Sequence, residues 1–252
     1  MKNMKVLAEE IRQGRHDEIL KDIYVDESVL EYQRKRYIKA IEEFENIFGE
    51  SDVEIYSAPG RCEVGGNHTD HQHGMVLATS INQDALAVVG KSEDGMIHVL
   101  SDGYDRVDVD VNDLEERYDE EGTTAAIVRG VAAELKSRGY EVQGYNAYIV
   151  SDVLIGAGLS SSAAFEVILG TIISGLFNEG SVDPVVIAQT GQFAENVYFG
   201  KPCGLMDQVA CSVGGMIHID FKEPGCPIVE KVPSDFEAYQ YSMCIVDTKA
   251  SH

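Results

Sequence analysis

Residues 57–74, SAPGRCEVGGNHTDHQHG, gather the densest set of reactive side chains in the chain. His68, His71 and His73 fall within six positions together with Asp70, and Arg61 precedes them across a glycine pair. Imidazole and carboxylate this close can ligate a metal ion, since both are ordinary zinc donors. They can equally offer directional donors and acceptors to the hydroxyls of a polyol. The stretch alone leaves both readings open.

A second stretch, GAGLSSSA at 156–163, places two glycines and three serines at the entry to an apolar run. A glycine-rich turn at a helix start aims free N–H groups and the positive dipole end at its occupant, which suits phosphate. It is not a Walker P-loop, because no lysine is present. It is not a dinucleotide fingerprint either: the sixth position is Ser161. The Asn178-Glu-Gly-Ser segment also leads into another helix where a Rossmann unit needs a strand. A serine N-cap on a buried helix accounts for one serine, not three. A third stretch, CGLMDQ at 203–208, puts Asp207 at the start of a short helix. An anion-binding turn, a carboxylate at a helix start and an Arg/His/Asp loop together suit phosphoryl transfer to a hydroxyl.

The elements that must position these groups follow from periodicity. Leu30, Tyr37, Ile41, Phe44 and Phe48 recur at helical spacing before Gly49. VEIYSAPG reads as a strand closing at Pro59-Gly60, and VLATSINQDALAVVG and MIHVLSDGY as strands around the turn at 93–95. The acid-rich residues 102–121 read as a solvated strand and loop face, without the spacing of a calcium loop. Helices are expected in TTAAIVRGVAAELKS, SSSAAFEVILGTIISGLF and DPVVIAQTGQFAENVYF, the last with Asp183 as cap and Pro184 at its first position. A strand precedes the glycine turn, and CGLMDQVACSVGGMIHIDF gives a short helix, a glycine turn and a strand. Hairpins mixed with helices make the class α+β.

The 252 residues carry a formal charge of −23, which excludes holding a nucleic-acid backbone through bulk electrostatics. Any phosphate must be held locally. Five cysteines without a CxxC pair fit reduced thiols. The polar first residues lack a signal core, and the apolar run at 167–177 is too short to span a bilayer. A soluble, cytoplasmic protein is expected, with no nucleic-acid or membrane partner.

GLSSSA is similar to the ATP-binding signature of the GHMP kinases. APGRCEVGGNHTDHQHGMVL resembles the galactokinase signature, roughly Gly-Arg-Val-Asn-Leu-Ile-Gly-Glu-His-Thr-Asp-Tyr, and CGLMDQ resembles the galactokinase segment Cys-Gly-Ile-Met-Asp-Gln. The motifs stand in family order, and the resemblance runs over roughly residues 27–252. It implies the GHMP kinase N-terminal domain, a two-layer sandwich like domain 2 of ribosomal protein S5, and transfer of phosphate from ATP to the anomeric hydroxyl of galactose or a related sugar. Asp207 and Arg61 would be catalytic, the aspartate as base or as the charge orienting the sugar hydroxyl. Asn67, His68, Asp70 and Gly204 would bind the sugar. Gly156, Ala157, Gly158, Leu159, Ser160, Ser161 and Ser162 would cradle ATP, and Ser162 with Glu195 would hold Mg2+. On this resemblance the histidine cluster is a sugar clamp in preference to a zinc site.

The resemblance breaks at several positions. Asn67 replaces the family glutamate, so an acidic or N-acylated sugar would be better tolerated. His71 and His73 replace a tyrosine and a glycine. Leu154 replaces a proline, and Thr124 and Ile127 stand where aromatics often meet adenine. The expected division is a leader and packing helix over 1–49, the GHMP N-terminal domain over 50–221, and the start of a C-terminal domain over 222–252, most of that domain lying beyond the sequence. An isolated half of this kind would expose an apolar face and favour self-association. The rival functions are a kinase for another small alcohol and a catalytically impaired sugar sensor.

Overall fold

Residues 75–91 show how the sheet is organised. In the computed structural model, which describes residues 1–234 together with 241, 243, 244 and 246, they form one long strand. Its second half is buried on both faces, and the period-2 geometry of a strand splits it between two cores. Ala85, Ala87 and Val89 enter one; Leu86 and Val88 enter the other.

In chain order the elements are β1 (Lys2–Asn3), α1 (Met4–Arg12), α2 (Asp17–Tyr24), α3 (Leu30–Phe48), β2 (Asp52–Gly65), β3 (Met75–Lys91), β4 (Met96–Ser101), β5 (Val107–Asp110), α4 (Thr124–Ser137), β6 (Tyr145–Ser151), α5 (Ser161–Phe177), α6 (Pro184–Phe193), α7 (Met206–Val213), β7 (Met216–Asp220) and β8 (Ile228–Lys231). The main path of the sheet runs β1-β2-β3-β6-β4-β5. Beyond β2, β3 pairs with β7 along residues 75–79 and with β6 along 85–91, so it holds the sheet together from end to end. Among the described residues only β4 and β6 pair in parallel.

The sheet and α4–α7 supply the two expected layers. Residues 1–24, read as a polar leader, instead fold into α1 and α2 and join α3 on the opposite face of the sheet. Met4, Ala8, Ile11, Leu20 and Tyr24 are buried there against Phe44 and Val88. Their spacing of three or four positions makes one apolar stripe on otherwise charged helices, which a composition reading averages away. A second difference concerns β2. It does not close at Pro59-Gly60 but continues to Gly65, with register shifts after Pro59 and after Glu63. Pro59 has no N–H to give the ladder, and the irregularity absorbs the loss. Arg61 is thereby carried on a strand and not on a loop.

The third expected unit, 222–252, is described only as far as β8 and a few residues beyond; the rest of it lies outside the described residues. All five cysteines are free thiols. Among the described residues, no helix is long and apolar enough to cross a membrane.

Candidate active site

Strand β2 and helix α7 meet through one ion pair. Arg61 Nε donates to Asp207 Oδ1 at 2.7 Å and Arg61 Nη2 to Asp207 Oδ2 at 2.7 Å, a two-pronged contact between groups 146 residues apart. The remaining guanidinium nitrogen, Nη1, donates to the carbonyl of Gly158 at 2.5 Å. Ser160 Oγ adds a bond to Asp207 Oδ2 at 2.5 Å. Burial by itself raises the Asp207 carboxyl, but the Arg61 guanidinium and the Ser160 hydroxyl outweigh it and hold the acid below the usual carboxylate range. Asp207 is therefore ionised at neutral pH. It is a weak base and a strong hydrogen-bond acceptor.

The loop between β2 and β3 is fastened to the same helix. Asp70 is buried and Oδ2 accepts from the backbone N of Met206 at 3.2 Å, capping the first turn of α7 from across the chain. Gly204 makes room for this: a Cβ there would lie 1.8 Å from Asp70 Oδ2. Asp70 thus links the loop to the Asp207 helix, and its Oδ1 lies 3.4 Å from His71 Nδ1. His73 Nδ1 pairs with the carbonyl of Lys222 at 3.1 Å. His68 turns toward Glu63, and Asn67 is exposed at the tip. The three imidazoles thus go to three separate partners.

The glycine-serine turn divides its work. Gly156 and Gly158 both have positive φ (74° and 71°), a conformation that favours glycine. Gly158 and Leu159 present carbonyls to Arg61, and the Leu159 side chain is buried in the core. Ser160 gives its hydroxyl to Asp207. Of the seven residues expected to cradle ATP, Ser161 and Ser162 line a cavity of about 770 Å³ beside the turn. Ser160 makes no side-chain cap on α5, so among the described residues the amides of the first turn have no side-chain acceptor.

Ile127, Tyr104 and Phe199 give the same cavity an apolar side, and Thr124 and Glu195 line it too. Glu195 and Glu166 are both buried, bridged by the amide of Gln208, whose Nε2 donates to Glu166 Oε2 at 2.9 Å and Glu195 Oε2 at 3.3 Å. Burial first, then the Glu195 carboxylate, push the Glu166 carboxyl well above its ordinary range. Lys201 Nζ sits 3.0 Å from Glu195 Oε1. A serine hydroxyl and a carboxylate lining one cavity are hard oxygen donors, the kind a magnesium ion takes together with phosphate oxygens.

Sequence reasoning missed Glu63, Glu166, Gln208 and the side-chain role of Ser160. Glu166 carried a signal, being the one charged residue in an otherwise apolar helix. Such a residue is buried only with partners. Gln208 and Ser160 carried none beyond their neighbours.

Comparison with known proteins bears on this geometry. The family model of the galactokinase galactose-binding signature matches residues 42–91, and that of the GHMP kinases N terminal domain matches residues 126–215. A galactokinase of Streptomyces coelicolor is 34% identical over 84% of this chain and 54% of its own length. One of Bacillus subtilis is 33% identical over 69% of this chain and 45% of its own. The chain spans about half the length of the curated relatives it matches. The crystal structure of a Lactococcus lactis galactokinase complexed with galactose superposes with a TM-score of 0.70 at 26% identity, over 82% of this chain and 56% of that one.

Proposed function

This chain belongs to the galactokinase-like branch of the GHMP kinases, and we propose that it forms the sugar- and ATP-binding portion of a kinase that phosphorylates the anomeric hydroxyl of galactose. The observation that carries the reading is the two-pronged Arg61–Asp207 pair, set where the histidine loop, the glycine-serine turn and α7 converge. His68 and Asn67 present donors and acceptors to a sugar, and the buried Asp70 fixes their loop against α7. The uncapped start of α5 presents amides to the nucleotide phosphates.

In this reading the sugar hydroxyl donates to Asp207, which orients its lone pair toward the γ-phosphorus. The new O–P bond forms as the bond to the bridging oxygen of ADP breaks, and the hydroxyl proton passes to Asp207 and then to solvent. Because Arg61 keeps Asp207 weakly basic, the carboxylate acts more by orientation and charge than by early proton removal. Little covalent assistance is needed for such a loose phosphoryl transfer. Mg2+ would be held by Ser162 and Glu195, and when bound it neutralises phosphate charge. Ile127, Tyr104 and Phe199 offer adenine an apolar surface.

Calorimetric titration of the chain with galactose, glucose and Mg-ATP, followed by an ADP-release assay across a sugar panel, tests the proposal. Galactose is expected to bind in preference to glucose and to stimulate ADP release. Equal affinity for the two hexoses, or ADP release indifferent to galactose, would overturn it.

A further inference from the structure

We propose that Glu63 is a positioning residue of the sugar loop, supplying from β2 the carboxylate that position 67 lacks. The proposal rests on reading this loop as sugar-binding. Glu63 follows Arg61 by two residues in an unbroken stretch of register, so both side chains leave the same face of the strand. Its side chain is only 14% exposed and lies over the loop. Oε1 accepts from the backbone N of His68 at 2.9 Å, and Oε2 stands 3.4 Å from His68 Nε2.

Set beside the galactokinase signature, the exchange is reciprocal. The signature reads Arg-Val-Asn-Leu-Ile-Gly-Glu-His; this chain reads Arg61-Cys-Glu63-Val-Gly-Gly-Asn67-His68. Amide and acid have changed places. The backbone gives a reason. Asn67 and His68 have φ of 58° and 53°, in the left-handed region. Asparagine enters that region more readily than glutamate, while position 63 is extended and accepts any side chain. The loop therefore keeps one amide and one carboxylate, with the amide at the left-handed position.

Two consequences follow for the substrate. A carboxylate facing Nε2 favours the proton on that nitrogen, which leaves Nδ1 of His68 as an acceptor for a sugar hydroxyl. The retained negative charge also disfavours an acidic sugar, so a neutral hexose is the class this loop takes, despite the neutral residue at position 67.

The test compares Glu63→Asn, Asn67→Glu and the double exchange in the full chain, with thermal melts to establish that each folds. Galactose and Mg-ATP affinities are measured by calorimetry, and the His68 tautomer by 15N NMR. Glu63→Asn is expected to weaken galactose about tenfold, leave Mg-ATP unchanged and shift the His68 tautomer. The double exchange is expected to recover most of the loss. Failure of the unmodified chain to bind galactose would overturn the sugar reading together with this proposal. Galactose binding and a His68 tautomer that Glu63→Asn leaves unchanged would overturn this proposal alone, as would a double exchange no better than Glu63→Asn. If Glu63→Asn does not fold, Glu63→Gln removes the charge at constant shape and is read the same way.

Discussion

Two arginine–aspartate pairs brace the sheet, made of the same groups and serving different ends. Asp84 Oδ1 accepts from Arg36 Nη1 at 2.6 Å, and its Oδ2 from Tyr24 at 3.0 Å and Ser57 at 2.5 Å. Asp207 accepts from Arg61 through both oxygens and from Ser160 at 2.5 Å. Each arginine side chain is 7% exposed, but Asp84 is 3% exposed and Asp207 31%. Helices α2 and α3 close over the first acid. The second keeps an open edge. What covers the carboxylate, more than the ion pair itself, decides whether the pair is sealed between layers or stays open to solvent.

The comparison breaks most sharply if the acids are removed. Asp84→Ala removes the shared acceptor of Arg36, Tyr24 and Ser57 and, among the described residues, leaves the buried Arg36 charge only the Asp152 carboxylate, with Oδ2 at 3.2 Å. A loss of about 3 kcal/mol in unfolding free energy is expected from denaturant titration. Asp207→Asn keeps the shape of its site. It is expected to lower phosphoryl transfer at least about a hundredfold, the scale of a positioned proton acceptor, with a smaller change in stability because the Asn oxygen can still accept from Arg61. Equal losses of stability in the two variants would erase the distinction drawn here.

Ser162→Ala and Glu195→Gln sharpen the nucleotide side. Each is expected to weaken Mg-ATP roughly tenfold, about 1.4 kcal/mol, with little change in galactose affinity by calorimetry. A matched loss for sugar would remove both residues from the cation.

The two serines make a finer pair. Ser57→Ala is expected to cost about 1 kcal/mol of stability without touching turnover, and Ser160→Ala to lower turnover severalfold with little change in stability. Melting curves and ADP-release rates on both variants check this.

The smallest expected effect is in pH. The Asp207 carboxyl is held below its ordinary value, so its contribution to stability is complete above the unfolded value of ~3.9. It is lost as pH falls through the lower folded value. The difference in melting temperature between the unmodified chain and Asp207→Asn should therefore stay constant from pH 7 to 5 and shrink only in stronger acid.

Much of this was legible in the sequence where local rules governed. Asp183 and Pro184 marked the start of α6, and Gly49 the end of α3. The three motifs pointed to Arg61, Asp207, Asp70 and the serine turn, and the fold brings them together. The parts that were not legible depend on distance along the chain. Nothing near Asp70 announces that it caps α7, nor does anything near Ser160 tell that its hydroxyl goes to Asp207. The N-terminal helices were misread because a single apolar stripe was diluted by Lys, Glu and Arg. Glu63 went unnoticed because it belongs to no motif position that stood out, and only its contact with His68 gives it meaning.

The separation of partners along the chain also orders events in time. At a synthesis rate of about 5–20 residues per second, Asp84 follows Arg36 by roughly 2–10 s, and Asp207 follows Arg61 by roughly 7–30 s. The N-terminal helices can thus begin to settle on the emerging sheet well before the Arg61–Asp207 pair exists. During that interval Arg61 waits on a strand with its carboxylate still unmade, and the candidate site closes only after its scaffold.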